Sequence, residues 1–337
     1  MIKKSVTMSD IANEIGVSTV TVSKALGDKD GVGSELREKI KQKANEMGYR
    51  FSSTSKSSKD NFTYSISVVV AKHFIHDASA FYWVVYRYIV ELLQKQSYYG
   101  ILEVVSDSDE QLCEMPKSIT DKKVDGIIVL GQFRQSYASA LLNMNVPTVF
   151  LDFYSGKNDV ETVLADNFFG SYTITNYLIN NGHRKIGFIG TINSTSSIQD
   201  RYLGYYKSLI ENRIRLNPSW IIDDRNAEGV AYSEFALPPE MPTAFVCNCD
   251  EAAYALINQL KAKGYEVPRD ISVVGYDNHI YSTISNPRIT TIDVNSYRMS
   301  SEAVEIIIRK IRDNNYKCGR VLVTGKLVER DSVKKLV

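Results

Sequence analysis

The spacing of apolar residues divides the chain into three regions: one with helical spacing, a short stretch with few apolar residues, and one in which strand-like and helical patterns alternate. Up to about residue 50, the spacing is that of short helices with turn signals between them. Residues 51–63 contain five serines and almost nothing to bury, which is typical of a linker. From Tyr64 onward, short β-branched runs alternate with longer amphipathic stretches, which predicts an α/β fold of parallel sheets covered by helices.

The C-terminal region contains apolar runs of strand length, several of which end at a glycine or an aspartate. Because open α/β sheets bind ligands outside the carboxyl ends of their strands, we expect a ligand site near Gly131, Asp152, Gly190 and Asp277. The predicted strands are Ile66–Ala71, Gly100–Val105, Gly126–Leu130, Thr148–Asp152, Lys185–Gly190, Thr243–Cys247 and Ile271–Val274. The predicted helices are at about 81–97, 109–122, 136–144, 168–181, 199–212, 251–264 and Ser296–Asn314.

The N-terminal region has the spacing of a helix-turn-helix. A capping box over Thr7 to Asp10 opens a helix predicted at Met8–Ile15, Gly16 provides the turn, and Ser18 caps a second helix at Thr19–Leu26. A third helix, Ser34–Met47, would complete the bundle. The alternative is an ordinary helical bundle, which has small and apolar residues at similar spacings. The predicted shared core is Ile11, Ile15, Val17, Val22 and Leu26, and the outward face of the second helix is Thr19, Val20, Ser23 and Lys24.

The distribution of charge agrees with a nucleic-acid partner for the first region. Residues 1–60 contain 11 Lys and Arg against 8 Asp and Glu, a net charge of +3, whereas the rest of the chain carries −2. No apolar run approaches the length of a membrane span, and the first residues do not have the pattern of a signal peptide. We therefore expect a cytoplasmic protein that has no membrane partner.

The cysteines and the known catalytic motifs give no sign of a metal site or an enzyme. Cys247 and Cys249 belong to an apolar run without a second pair or a histidine nearby, so we expect reduced cysteines, no metal and no cofactor. The chain has no G-x-G-x-x-G between a strand and a helix, no G-x-S-x-G and no H-E-x-x-H. A sugar-binding transport protein would need a secretion signal and no DNA-binding region, so a ligand-responsive regulator is the better hypothesis.

The motifs of the chain resemble those of the lactose-repressor family in order and over nearly the whole length. In the first region these are Val6 to Ala12, Gly16-Val17-Ser18, Thr21 to Leu26, Arg37 to Ile40 and Gly48-Tyr49-Arg50. Later matches are Asp166-Asn167, Gly182 to Gly187, Asp200 to Tyr205, Val267-Pro268, Ile271 to Asp277, Thr290 to Ile292 and Leu327 to Ser332.

The resemblance implies a sequence-specific transcription regulator, a repressor of carbohydrate-utilisation genes, which binds a palindromic operator in double-stranded DNA as a homodimer. It implies a DNA-binding headpiece at 1–50, a linker at 51–63 and a core at 64–337 like the periplasmic sugar-binding proteins. The core would consist of an N-subdomain at about 64–165 and 293–322 and a C-subdomain at about 166–292 and 323–337. The expected DNA-binding residues are Thr7, Ser18, Thr19, Val20, Thr21, Ser23, Lys24 and Tyr49.

The linker departs from the family pattern. The family places a proline, an asparagine, an Ala-Arg pair and a leucine after its headpiece, as a hinge helix whose leucine wedges into the minor groove. This chain has Phe51, Ser52, Ser55, Lys56 and Ser58 at those positions. Serine is a weak helix former and cannot act as an apolar wedge, so we expect little hinge-helix formation and little bending of the operator.

The family's ligand cleft carries over to several residues of the core. Arg201 matches an arginine that binds ligand hydroxyls or anionic groups, and Asp277 matches the acid of the cleft; a surface arginine and a helix N-cap are the alternatives. Cys249 stands where the family has an asparagine, so Asn248 is expected to replace it beside Asp250. The other expected ligand-binding residues are Asp152, Ser196 and the adjacent aromatics Phe81, Tyr82 and Trp83. Three adjacent residues of a helix point different ways, so one or two of these aromatics should face the cleft and core packing explains the rest. His73 and His76 are interpreted as loop residues. Such a cleft favours a carbohydrate over a nucleobase as the small-molecule effector.

Overall fold

The computed structural model describes residues 6–27, 29–47, 49, 62–75, 81–154, 156, 160–226, 229, 231–232 and 234–336. The chain divides into two compact units, Met1–Asn61 and Phe62–Val337. Most of the predicted linker, residues 51–61, lies outside the described residues, as does His76. The expectation about a hinge helix therefore stays a prediction. The subdomain boundaries proposed from the family resemblance also stay predictions.

The first unit is a bundle of three helices, as predicted: α1 (Met8–Ile15), α2 (Thr19–Leu26) and α3 (Ser34–Glu46). Thr7 and Asp10 form the capping box of α1, and Gly16 ends this helix at a φ of 77°, a conformation that glycine adopts without strain. The Oγ of Ser18 caps α2. The buried core is Ile11, Ala12, Val22, Ala25, Ile40 and Ala44.

The second unit contains two parallel sheets and a short antiparallel pair. The six-stranded sheet has the order β11 (Arg320–Val323), β5 (Glu161–Ala165), β4 (Thr148–Leu151), β3 (Gly126–Leu130), β1 (Ser65–Ala71) and β2 (Tyr99–Val105). The four-stranded sheet has the order β7 (Ile221–Ile222), β6 (Ile186–Ile189), β8 (Ala244–Cys247) and β9 (Ser272–Val274). Strands β10 (Thr291–Asp293) and β12 (Lys326–Val328) pair antiparallel.

The sheets are covered by helices, as the alternating sequence pattern predicts. These are α4 (Phe81–Lys95), α5 (Asp107–Leu112), α6 (Lys117–Thr120), α7 (Gln135–Leu142), α8 (Asn167–Asn180), α9 (Ser196–Glu211), α10 (Asp250–Ala262), α11 (Ile280–Ile284) and α12 (Ser296–Arg312), with 3-10 turns at Lys72–Phe74 and Pro218–Trp220. None of the helices in the described part of the chain is long and apolar enough to cross a bilayer.

The chain passes between the two sheets three times, near Asp166, Ile292 and Val323. The first passage leads from β5 into α8, the second from β10 into α12, and the third from β11 into β12. A hydrogen bond from the backbone N–H of Asp166 to the carbonyl of Val323 joins the first and third passages, and one from the backbone N–H of Asp277, after β9, to the carbonyl of Ile292 holds the second passage. Two α/β halves joined in this way leave a cleft between them.

The helix predicted at 109–122 is wrong, because the structure breaks it into α5 and α6. Cys113 ends α5 in the left-handed region at a φ of 56°, and Pro116 precedes α6. A proline disfavours helical backbone in the residue before it, so the two helical segments cannot be continuous. The strands β5, β7, β10, β11 and β12 and the helix α11 were not predicted; all have five residues or fewer.

Candidate functional site

A cleft of about 1030 Å³ lies where the carboxyl ends of strands from both parallel sheets face each other. Phe74 follows β1 and Asp152 follows β4 on one side, while Asn248 and Asp277 follow β8 and β9 on the other. The volume is at the upper end of those of small-molecule sites. The sequence-based expectation of a ligand site outside the strand ends therefore coincides with this cleft.

Arg201, on the first turns of α9, is the most highly connected side chain of the cleft. Its Nε donates to Oδ1 of Asn167 at 2.8 Å, and its Nη1 donates to the carbonyl of Asn248 at 2.5 Å. The Nη2 atom lies 3.1 Å from Oδ1 of Asp277. The guanidinium also lies over the ring of Tyr276, 3.9 Å from its centroid. These contacts fix the orientation of a charged fork that is 7% exposed at the cleft wall.

Asp152 provides the second polar centre, from the opposite half. The hydroxyl of Tyr82, on α4, donates to Oδ2 of Asp152 at 2.8 Å. Burial raises the pKa of this carboxyl to about 6, although the charge of Arg201 and the Tyr82 hydrogen bond favour its ionised form. The backbone of Asp152 has a φ of 66° and that of Asp277 a φ of 100°. Left-handed backbone is costly for these residues and is concentrated at ligand sites in proteins.

Asp224 and Arg225 form a third polar group on the floor of the cleft. The Nη2 of Arg225 donates to Oδ2 of Asp224 at 2.7 Å, and the amide nitrogen of Asn248 donates to the same oxygen at 2.7 Å. Burial opposes ionisation of Asp224, but the hydrogen bond and charge of Arg225 outweigh it and hold the pKa of Asp224 below its usual value. The carboxylate of Asp224 is therefore ionised and already hydrogen-bonded to Arg225 and Asn248.

Seven of the nine predicted ligand-binding residues line this cleft. They are Phe81, Tyr82, Asp152, Arg201, Asn248, Asp250 and Asp277. Asp250 is fully buried, and its oxygens accept from the hydroxyl of Thr291 and the backbone N–H of His279, so both oxygens already have partners in the wall of the cleft.

Trp83 and Ser196 do not line the cleft. Trp83 follows Tyr82 in α4, but the two side chains point in different directions because adjacent helical residues are about 100° apart. The ring of Trp83 packs edge-on against Tyr86 instead of lining the cleft. The backbone N–H and the hydroxyl of Ser196 both donate to Oε1 of Gln132, at 3.3 and 3.1 Å. Gln132 follows β3 and Ser196 opens α9, so this contact joins the two halves of the core.

Sequence reasoning missed several residues of the cleft, notably Phe74, Asp224, Arg225 and Tyr281. Asp224 and Arg225 follow β7, which has only two residues and therefore no readable periodicity. The histidine interpreted as a plain loop residue, His73, also lines the cleft. The sequence shows that Asp224, Arg225 and His73 are polar or charged, but it does not show that they follow strands whose ends face the cleft.

The predicted DNA-contacting residues fall into two groups. Thr19, Val20, Ser23 and Lys24 are exposed on α2. Thr7 and Ser18 are N-caps, Thr21 shares a hydrogen bond of 2.8 Å with Ser18, and the ring of Tyr49 packs partly against the core of the first unit. Caps at the start of a recognition helix can still contact phosphate, because the helix N-terminus attracts anions.

The cysteines of the core are all unpaired thiols: Cys247 is buried in β8, Cys249 caps α10 at the edge of the cleft, Cys113 ends α5 and Cys318 is exposed. Burial raises the pKa of the Cys249 thiol. In the part of the chain that the structure describes, no group of His, Cys, Asp and Glu is arranged to hold a metal ion.

Comparison with known proteins gives consistent matches along the chain. Residues 7–52 match the model of bacterial regulatory proteins of the lacI family, and residues 175–333 match a periplasmic binding protein-like domain. The HTH-type transcriptional repressor PurR of Haemophilus influenzae (strain PittEE) is 30% identical over 341 residues, covering 98% of this chain and 99% of the relative. PurR of Histophilus somni (strain 129Pt) is 29% identical over 336 residues, covering 98% and 99%.

Solved structures show the same architecture. The lac repressor dimer bound to operator and the anti-inducer ONPF superposes with a TM-score of 0.78 at 22% identity, over 98% of this chain and 100% of that one. A complex of the transcriptional regulator CelR with cellobiose gives a TM-score of 0.69 at 22% identity, over 97% and 99%. At this identity, the likeness establishes the fold.

Proposed function

The chain belongs to the lacI family of bacterial regulatory proteins and is a DNA-binding transcriptional repressor, and on that premise we propose that an uncharged carbohydrate in the core cleft controls its operator affinity. It acts by binding DNA and not as an enzyme. The predicted family and fold class are thereby confirmed. The observation that carries the effector proposal is the constellation of Tyr82, Asp152 and Arg201 in the lining of the cavity.

The charge of the cleft favours a neutral effector over an anionic one. Among the described residues that line it, six are acidic and three are Lys or Arg; the acidic residues stay in excess even without Asp250, because burial raises the pKa of that carboxyl well above its usual value. Arg201 is already paired with Asp277, and Arg225 with Asp224. A phosphate would therefore meet an excess of negative charge in a partly desolvated site, which is unfavourable.

A polyhydroxylated ligand fits the remaining chemistry. Ionised Asp152 accepts hydrogen bonds from hydroxyls, and the fixed guanidinium of Arg201 donates to them. Phe74 and Tyr82, whose ring centroids are 4.9 Å apart, provide apolar faces for the C–H side of a sugar ring. A sugar ring has hydroxyl donors and acceptors around its edge and C–H groups on its faces. The hydroxyls match Asp152 and Arg201, and the faces match Phe74 and Tyr82.

A purine base is the second candidate. The curated relatives carry the name PurR, and the same aromatic faces would stack on a planar ring. The two classes differ in what they need from Asp152: a sugar presents several hydroxyl donors to it, whereas a base presents few. Titration of both classes against the same protein separates them.

We propose the exposed face of α2, with Thr19, Val20, Ser23 and Lys24, as the surface that reads operator bases in the major groove. Thr7, Ser18, Thr21 and Tyr49 would contact the sugar–phosphate backbone. A homodimer on a palindromic operator follows from two such units related by twofold symmetry, and the cytoplasm is the compartment in which the protein would meet its DNA.

The homodimer is supported by apolar side chains exposed on the core. On α11, Ile280 is 50% exposed and Ile284 is 56% exposed, and they lie four residues apart on one helical face. We call this pair the α11 patch. On the other half, Leu112 is 69% exposed and Tyr99, on the edge strand β2, is 71% exposed. Exposed apolar groups on both halves suit a partner that lies along the side of the core.

The proposed function is tested by selecting duplexes from a random DNA pool with the full-length protein, then titrating effectors against the selected operator. We expect a palindrome with half-sites about one helical turn apart, and a neutral sugar that changes operator affinity at a saturable concentration. Purine bases and sugar phosphates are titrated in parallel, and Arg201→Lys serves as the control that retains charge but not the fork. If only purine bases shift operator affinity, the carbohydrate proposal is wrong.

A further inference from the structure

Val20 is an exception in the first unit. It is 62% exposed, whereas the other large apolar side chains among the described residues of this unit belong to its hydrophobic cluster or pack against it. It is the second residue of α2, two positions after the cap, and therefore lies in the first turn, at the end of the helix that would penetrate the groove. A β-branched apolar residue at this place contributes nothing to the core of the unit.

Some of the polar side chains near Val20 cap helix α2, and others are exposed on the same face as Val20. The Oγ of Ser18 accepts from the backbone N–H of Thr21 at 3.1 Å and lies 2.8 Å from the Thr21 hydroxyl, so both of these hydroxyls are used in capping the helix. Ser23 and Lys24 lie three and four residues after Val20 and share its face. Together with Thr19, the exposed face therefore presents one apolar side chain, Val20, beside two hydroxyls and one cation.

Base edges in the major groove offer a single apolar group, the C5-methyl of thymine. Valine has no donor or acceptor, so it can discriminate between base pairs only through that methyl or by steric exclusion. We propose that Val20 reads a thymine methyl in each operator half-site, which makes it a specificity-determining residue that selects an A·T pair. This inference rests on the proposed function, because it needs α2 to lie in the major groove.

The test replaces each thymine of the selected operator by deoxyuracil, one position per half-site at a time, which removes only the methyl group. Burial of one methyl-sized group is worth about 0.8 kcal/mol, so at one position we expect roughly a fourfold loss of affinity per half-site. The full-length Val20→Ala variant should bind the thymine and uracil operators equally at that position. The matched Ser23→Ala variant should retain the difference.

The outcomes separate this inference from the function on which it rests. A thymine whose methyl matters to the natural protein and to Ser23→Ala, but not to Val20→Ala, supports the proposal. Binding that is indifferent to uracil at every position, or a methyl effect that persists in Val20→Ala, overturns it while leaving the regulator function intact. If the protein selects no duplex at all, the proposed function fails and takes this inference with it. Thermal unfolding verifies that Val20→Ala folds, which is expected because the side chain is exposed.

Discussion

The guanidinium of Arg201 lies 3.1 Å from the carboxylate of Asp277, and both side chains are about nine-tenths buried in the wall of the cleft. Asn167 and the carbonyl of Asn248 accept from two further N–H groups, so these contacts use three of the five N–H groups of the fork and leave two for a ligand. The pair therefore connects α8, α9 and the ends of β8 and β9. An effector that contacts Arg201 therefore contacts a side chain that joins two helices and two strand ends of one half of the core.

Removal of the Arg201 side chain should damage both stability and effector binding. Arg201→Ala leaves Asp277 buried without its partner, and breaking such pairs typically costs about 3–5 kcal/mol. We expect chemical denaturation to show a loss of that order and calorimetry to show no sugar binding. Arg201→Lys should lose less stability but bind sugar at least tenfold more weakly, because lysine has no planar fork.

The control for this prediction is Arg288→Ala. Arg288 forms an exposed ion pair with Asp331, far from the cleft lining, so its loss should leave both stability and sugar binding almost unchanged. Equal effects of the two substitutions would show that Arg201 has no special role.

Effector affinity should rise with pH through the titration of Asp152. Burial raises the pKa of this carboxyl to about 6, and only the ionised form accepts hydroxyl donors with both oxygens. We therefore expect calorimetry to show stronger sugar binding at pH 7 than at pH 5, levelling off above pH 7. The raised pKa has the opposite effect on the unliganded protein: the fold binds this proton more tightly than the unfolded chain, so the contribution of Asp152 to stability falls as pH rises from about 4 to 6.

Asp152→Asn identifies the group responsible. The amide retains the size of the side chain and does not titrate, so affinity should become flat across this range except for a contribution from His73, which also lines the cleft. The pKa of His73 is lowered by burial, against the opposing charge of Asp107. If Asp152→Asn retains the full pH dependence, another group controls binding.

Ser18 should have separable roles in folding and in DNA binding. Its Oγ caps α2, and replacement of such a cap by alanine costs about 1 kcal/mol. Ser18→Ala should lower the melting temperature of the headpiece transition. Ser18→Asp retains a capping oxygen but introduces a negative charge near phosphate, so it should melt normally and bind operator weakly. Normal operator affinity in Ser18→Asp would place this residue away from the DNA backbone.

The elements that the sequence predicted well are those whose pattern is local. Thr7, Asp10 and Gly16 define the first helix by capping chemistry, and the runs at Gly126–Leu130 and Ile66–Ala71 are apolar enough to require burial. Strand β5, which was not predicted, has Glu161 in its first position, and this side chain is fully buried. Its partner, Lys310, comes from α12, so only the tertiary structure shows why a carboxylate is tolerated there.

The cleft was predicted in part for the same reason. Asp152 and Asp277 end predicted strands, and Arg201 belongs to a motif that resembles the family pattern. Of the three adjacent aromatics Phe81, Tyr82 and Trp83, one or two were expected to face the cleft, because successive helical residues point about 100° apart. Phe81 and Tyr82 line it, and Trp83 packs against Tyr86. Arg225 reaches the cleft from a two-residue strand that leaves no periodic signal.

Dimer formation should depend on the α11 patch. Placing a charge in an apolar interface requires its desolvation, so Ile280→Glu should shift sedimentation from dimer to monomer at micromolar concentration. Leu203→Glu is the matched control, since Leu203 is 45% exposed on α9, on a different surface. This variant should sediment as the natural protein does. A dimer that survives Ile280→Glu and dissociates in Leu203→Glu would place the interface on α9.

The contact between Gln132 and Ser196 should set how readily the cleft closes. Oε1 of Gln132 accepts two hydrogen bonds from the first residue of α9, and these join the two halves beside the ligand site. Each such bond is worth about 1 kcal/mol, so Gln132→Ala should weaken sugar binding by roughly three- to thirtyfold without a large change in the denaturation midpoint. Gln132→Glu keeps the acceptor oxygen and should bind close to normally. Small-angle scattering of the unliganded variants distinguishes the cause: a larger radius of gyration for Gln132→Ala than for Gln132→Glu means that the contact favours the closed core. Identical scattering with equal affinities would mean that closure is governed elsewhere.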